Sequence, residues 1–145
     1  MVFPEISPEM QQKLVEFDTL KQQLDAIEKN LIQLEQKRNE LVFVVDSLNS
    51  IKGQSGEKIL VPIGSGVFIP AILEKNDKLL VEIGSGVVLK KNLEEAQKIL
   101  ESQSKEIEKI EIKMRADADK MAVRLGELEP EIRSFYNELQ KPKKK

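Results

Sequence analysis

The sequence predicts a mainly α chain with a small β insert. A long antiparallel coiled-coil helical hairpin is joined by two β-hairpins, whose strands complete an intersubunit β-barrel. Two observations predict this. Apolar residues fall at alternating three- and four-residue steps from Met10 to Leu48 and again from Leu93 to Leu139, the seam of a coiled coil rather than the wider stripe of a globular helix. Between those stretches a glycine-turn segment occurs twice, offset by twenty residues. Composition agrees: of 145 residues, 33% are charged and 4% aromatic, with no Trp, which leaves little bulky material for a thick core.

The expected organisation is a single domain over 1–145. It comprises a first helix over about 8–52, hairpins over 58–90, a second helix over 92–140 and a basic tail over 141–145. With a at Met10, Phe17, Leu24, Leu31, Arg38 and Val45, the d positions are Lys13, Leu20, Ile27, Leu34, Leu41 and Leu48, so Lys13 and Arg38 alone interrupt the seam. Arg38 reads as a register device or a snorkelling side chain. Ser7 is placed to cap this helix with Pro8 at its first position and Glu9 in the first turn, and Gly53 to end it.

In the copies Lys58 to Val67 and Lys78 to Val87, an apolar run meets Gly-Ser-Gly and a further apolar run follows, which reads as a β-hairpin each time. The loop suits a type I turn with a bulge, Gly66 and Gly86 taking positive φ, while Gly64 and Gly84 open the turns. By alternation Ile59, Val61, Ile63, Leu79, Val81 and Ile83 share one face. Val67, Ile69, Val87 and Leu89 on the return strands join them as expected assembly residues. Pro62 and Pro70 fit edges or bulges, and Glu74 to Asp77 supply the turn between hairpins. No phosphate loop is read here, because a strand follows each glycine pair.

The second helix opens on Asn92 with Glu95 three residues later, a capping-box-like pair. Its seam reads Leu93, Ala96, Leu100, Gln103, Ile107, Ile110 and Met114, then Ala118, Met121, Leu125, Leu128, Ile132, Phe135 and Leu139. The eleven-residue step from Ile107 to Ala118 is a stutter. Pro130 inside this pattern predicts a kink or break between Gly126 and Pro130. Glu94, Glu95, Glu106, Glu108 and Glu111 read as a solvated face.

His and Cys are absent, which removes imidazole acid/base chemistry, thiol nucleophiles and His/Cys metal sites. The chain therefore reads as no enzyme, with no catalytic residue, metal or cofactor. Net charge is −2, but Lys141, Lys143, Lys144 and Lys145 contribute +4 of it, leaving −6 on residues 1–140. An acidic body disfavours nucleic acid, and no apolar run approaches a membrane span of about 18 residues. Without the plan of a signal peptide, a soluble, cytoplasmic chain is expected.

Strands of about five residues with nothing to cover them are marginal alone, and their open edges call for neighbouring chains. An obligate oligomer built through 58–90 follows. Where the termini meet, Val2, Phe3, Ile6, Met10 and Leu14 face Ile132, Phe135, Tyr136 and Leu139, more apolar material than a two-helix seam buries. Such tips suit weak, adaptable contacts with non-native proteins.

Helix, two hairpins marked by Ile63-Gly-Ser-Gly-Val67 and Ile83-Gly-Ser-Gly-Val87, then helix resembles the alpha-class subunit of archaeal prefoldin. The doubled hairpin is the specific element, since the beta-class subunit has one. The resemblance implies two alpha subunits with four beta-class partners, and an ATP-independent holdase. It implies capture of non-native clients at coiled-coil tips and delivery to a group II chaperonin. The competing expectation is a structural or adaptor coiled coil that docks one folded partner.

Overall fold

The computed structural model describes residues 6–75 and 77–141. Val2, Phe3 and the last four residues of the basic tail lie outside these. In chain order the elements are α1 (Pro8–Ile51), β1 (Lys58–Gly64), β2 (Val67–Ile72), β3 (Leu79–Gly84), β4 (Val87–Lys91) and α2 (Leu93–Gln140).

The helix ends follow from capping chemistry. The Met10 amide donates to Ser7 Oγ at 3.2 Å and the Glu95 amide to Asn92 Oδ1 at 2.8 Å, each satisfying a first-turn donor that the helix itself leaves open. After α1 stops at Ile51, Gly53 adopts φ +75°, the left-handed exit that favours glycine.

The chain forms two compact units, Met1–Glu35 with Lys109–Lys145 and Gln36–Glu108. In the first, Lys13 meets Glu131 while Glu16, one turn later, meets Arg124, so α1 and α2 run antiparallel. The expected α1 seam from Met10 to Leu34 is half-buried at every position, Lys13 included. Opposite it Met114, Ala118, Met121 and Leu125 are half-buried, Ile132 is buried, and Leu128 is fully enclosed. In the second unit Leu41, Leu93 and Ala96 are buried, with Arg38, Val45, Leu48, Leu100, Gln103 and Ile107 half-buried around them.

Two expectations for α2 are corrected. Of the kink or break expected near Pro130, the break does not occur: the helix runs on through Pro130. The ring removes one hydrogen bond and crowds the carbonyl of Gly126, which lacks a Cβ and stands in open space, while Leu128 and Ile132 hold the helix to its partner on both sides. The seam also passes through Glu111, 3% exposed, whereas Ile110 is 49% exposed. At 100° per residue, Glu111 lies about 40° from the line through Ile107 and Ile110 about 60° from it, so the eleven-residue step divides as four, three, four. Arg115 Nη2, 3.6 Å from Glu111 Oε2, offsets part of the cost of enclosing that carboxylate.

The β segment consists of two separate two-stranded antiparallel sheets, β1 with β2 and β3 with β4. Each turn is tighter than expected. Gly64 pairs with Val67 and Gly84 with Val87, leaving Ser-Gly as a two-residue loop in which Ser65 (φ 49°) and Gly66 (φ 78°) both take the left-handed region of a primed turn. The bulge falls before the turn, where the register shifts between Pro62 and Gly64.

Candidate functional site

Two surfaces carry the expected contact residues. The first is the pair of hairpins. Register places Ile59 opposite Ala71 and Val61 opposite Ile69 on one face, and Leu79 and Val81 with Leu89 and Lys91 on the equivalent face of the second hairpin. Ile59, Leu79 and Val81 are half-buried; Val61, Ile63, Val67, Ile69, Ile83, Val87 and Leu89 are exposed. The reverse face of the first hairpin is largely apolar too, and that of the second mixes apolar with charged residues; alternation alone missed both. Leu60 (66% exposed), Phe68 (55%) and Ile72 (67%) stand there on the first hairpin, with Leu80 and Val88 on the second. The signal was in the sequence: on the first hairpin apolar residues stand at both parities of the strands, the pattern of a ribbon with two apolar faces.

Among the described residues each sheet has two strands and therefore two open edges, rows of backbone donors and acceptors that pair with nothing in this chain. Each hairpin thus exposes at least one apolar face and two unpaired edges.

The second surface lies at the ends of the helices in the first unit. On α1 Ile6, just before the cap, is 38% exposed, and Met10 and Leu14 continue its row half-buried. On α2 Phe135 is half-buried, Tyr136 51% exposed and Leu139 39% exposed, with the Phe135 and Tyr136 rings edge-to-face at 5.8 Å. Ile132, expected in the same set, is buried in the seam at 7% exposure. Exposed apolar side chains such as Ile32 and Val123 stand singly among charged and amide neighbours, as on most protein surfaces, whereas Phe43 adjoins exposed Val42.

Just inside this end, ion pairs tie one helix to the other. Lys13 Nζ lies 2.6 Å from Glu131 Oε2. Arg124 donates through Nε and Nη2 to the two carboxylate oxygens of Glu16 at 2.7 and 3.0 Å, and through Nη1 to Glu127 at 3.1 Å. The hydrogen bonds from Arg124 hold the Glu16 carboxyl below its ordinary value, and those to Glu16 and then Glu127 raise the guanidinium further. The seam interruption at Lys13 is thus a cross-helix salt bridge, a role that its d position alone did not disclose.

Among the described residues no group of three or more His, Cys, Asp or Glu side chains is arranged to hold a metal ion, and no helix is long and apolar enough to cross a membrane.

Comparison with known proteins agrees with this architecture. The family model described as Prefoldin subunit matches residues 20–138. The prefoldin alpha subunit of Methanosphaera stadtmanae is 32% identical over 68 residues, which cover 47% of this chain and 49% of that one. The chain thus spans about half the length of that curated relative in the match. A filamentous PFD from Methanocaldococcus jannaschii, solved by cryo-EM, superposes with a TM-score of 0.70 at 22% identity, covering 80% of this chain and 97% of that one, a likeness of fold.

Proposed function

This chain belongs to the prefoldin family, and we propose that it serves there as an alpha-like subunit of an ATP-independent chaperone, holding non-native proteins rather than transforming a substrate. The observation that carries the reading is the exposed apolar set at the helix ends, Ile6, Tyr136 and Leu139 with Met10, Leu14 and Phe135 behind them. Helix ends open at little free-energy cost, so these side chains adapt to many apolar sequences, and several such ends in one assembly add by avidity. Release needs only a competing surface, which suits delivery to a group II chaperonin. Assembly runs through the hairpins, with beta-class partners finishing the open edges in a hexamer of two alpha and four beta chains.

The test uses the intact assembly, purified with its partners and weighed by native mass spectrometry. Stoichiometric suppression of the aggregation of several unrelated denatured proteins, without nucleotide, is the expected result. Ile6→Ser, Tyr136→Ser and Leu139→Ser together abolish it while the mass stays the same. Unchanged suppression in that variant moves the site elsewhere; binding to one folded protein without suppression points to an adaptor.

A further inference from the structure

The apolar helix ends stop abruptly where the cross-helix ion pairs begin. Inward of Lys13 and Glu131 the seam is closed, with Leu128 fully enclosed; Ile132, one residue outward of Glu131, is still only 7% exposed, and beyond it Ile6, Tyr136 and Leu139 are 38–51% exposed. Resting on the capture reading above, we propose that Lys13, Glu16, Arg124 and Glu131 form a clamp that limits how far the helix ends separate to admit an apolar segment. They are positioning residues: they touch no client and fix which side chains are free to.

Exposed ion pairs are weak, and in the middle of a packed seam such pairs decide nothing. At a helix terminus the balance differs, because local opening there costs close to zero and a few-fold bias sets where the opening stops. The geometry supports that use. Lys29 with Asp25 and Arg133 with Glu129 are spaced four residues apart on one helix, so they resist unwinding but not separation. Lys13 with Glu131 and Glu16 with Arg124 span the two helices, and their polarities alternate: positive then negative along α1, each opposite its counter-charge. The guanidinium is bidentate on Glu16, the arrangement that loses least entropy per bond. Separation beyond this point also costs the burial of Leu128, so clamp and apolar plug reinforce each other.

Spin-label distances in the assembled protein test this. The chain has no Cys, so introduced thiols are unique within it. One label pair, Thr19→Cys with Lys120→Cys, lies inward of the clamp, and another, Gln11→Cys with Asn137→Cys, lies outward. The expected result is a narrow inner distribution and an outer one that widens when a denatured client is added. Lys13→Glu with Glu16→Lys sets like charges opposite Glu131 and Arg124, and the inner distribution then widens about twofold. Adding Glu131→Lys and Arg124→Glu restores the opposite pairing and the narrow inner distribution. Inner distances that stay narrow in the double variant overturn the clamp. If the double variant does not assemble, the quadruple variant decides: recovery supports the clamp and failure to recover overturns it. The client-free inner distances read the clamp independently of capture, so a failed holdase assay does not affect them.

Discussion

Replacing Leu60 and Phe68 by serine tests whether the reverse face of the first hairpin is an assembly surface. Both side chains lie on that face, 66% and 55% exposed in the single chain. Full burial of a large apolar side chain contributes roughly 1.5–3 kcal/mol, so the fraction still open leaves about 1–2 kcal/mol each to be gained on assembly. Together they account for about 2–4 kcal/mol, a factor of roughly 30 to 1,000 in association. The isolated chain loses little, under about 1 kcal/mol, because so much of both side chains is solvated already. Sedimentation velocity over a dilution series should show the dissociation midpoint moving up by that factor while far-ultraviolet circular dichroism keeps its helix signal. Val123→Ser, an equally exposed position on α2, serves as the control and should leave the midpoint in place. An unmoved midpoint in the hairpin variant, or the same shift from the control, would refute the reasoning.

Leu128→Ala should cost about 3 kcal/mol, from lost transfer and a residual cavity at a fully enclosed side chain, measured as a lower urea midpoint at fixed protein concentration. Gly66→Ala forces a Cβ into φ 78° and should cost about 1 kcal/mol, whereas Ser65→Asn at φ 49° should be neutral or stabilising, since Asn-Gly is the favoured pair of a primed turn; hairpin amide exchange separates the two. The folded Glu16 carboxyl titrates below its ordinary 4.5, so its stabilisation is fully present above that value and is lost as pH falls through the lowered one; a carbon-13 titration of Glu16 should return to the ordinary midpoint in Arg124→Gln.

Periodicity located the α1 seam residue by residue because a strict three-four repeat has one solution, and even its polar members, Lys13 and Arg38, are half-buried where the heptad puts them. At the eleven-residue step two divisions are possible, and composition favoured the isoleucine over the glutamate at the next position. Helix geometry decided otherwise: Glu111 is carried inward by the phase of its neighbours, a tertiary effect that residue type does not encode. A break at Pro130 is likewise absent, since the proline rule describes a local cost, and the burial of Leu128 and Ile132 on either side outweighs it. Of the candidate surfaces, the exposure of most hairpin residues and of Ile6, Tyr136 and Leu139 was legible in the sequence. The cross-helix ion pairs were not, because antiparallel register between residues 108 positions apart follows from the folded pairing and not from spacing along either helix.

The doubled segment also shows how one motif serves two environments. Both copies keep the glycine turn and the bulge before it, so their backbones agree to within a few degrees at the turn: Ser65 and Ser85 at φ 49° and 50°, Gly66 and Gly86 at 78° and 76°. Their reverse faces differ. On the first hairpin that face carries Leu60, Phe68 and Ile72 with both prolines, Leu60 opposite Pro70, Pro62 opposite Phe68, and Lys58 opposite Ile72 at the strand end. On the second it alternates apolar and charged residues, Leu80 opposite Lys90 and Glu82 opposite Val88. Burying Glu82 or Lys90 without a counter-charge costs more than the neighbouring Leu80 and Val88 return, so solvent is the natural environment of that face. On the first hairpin the one charge on that face, Lys58 opposite Ile72, stands at the end of the strand, and the stretch from Leu60 to Pro70 carries none. The prolines there withdraw backbone donors without adding charge, which limits edge pairing while leaving the face apolar. Within the proposed assembly, the stretch from Leu60 to Pro70 therefore suits enclosure on both sides, whereas the reverse face of the second hairpin suits water.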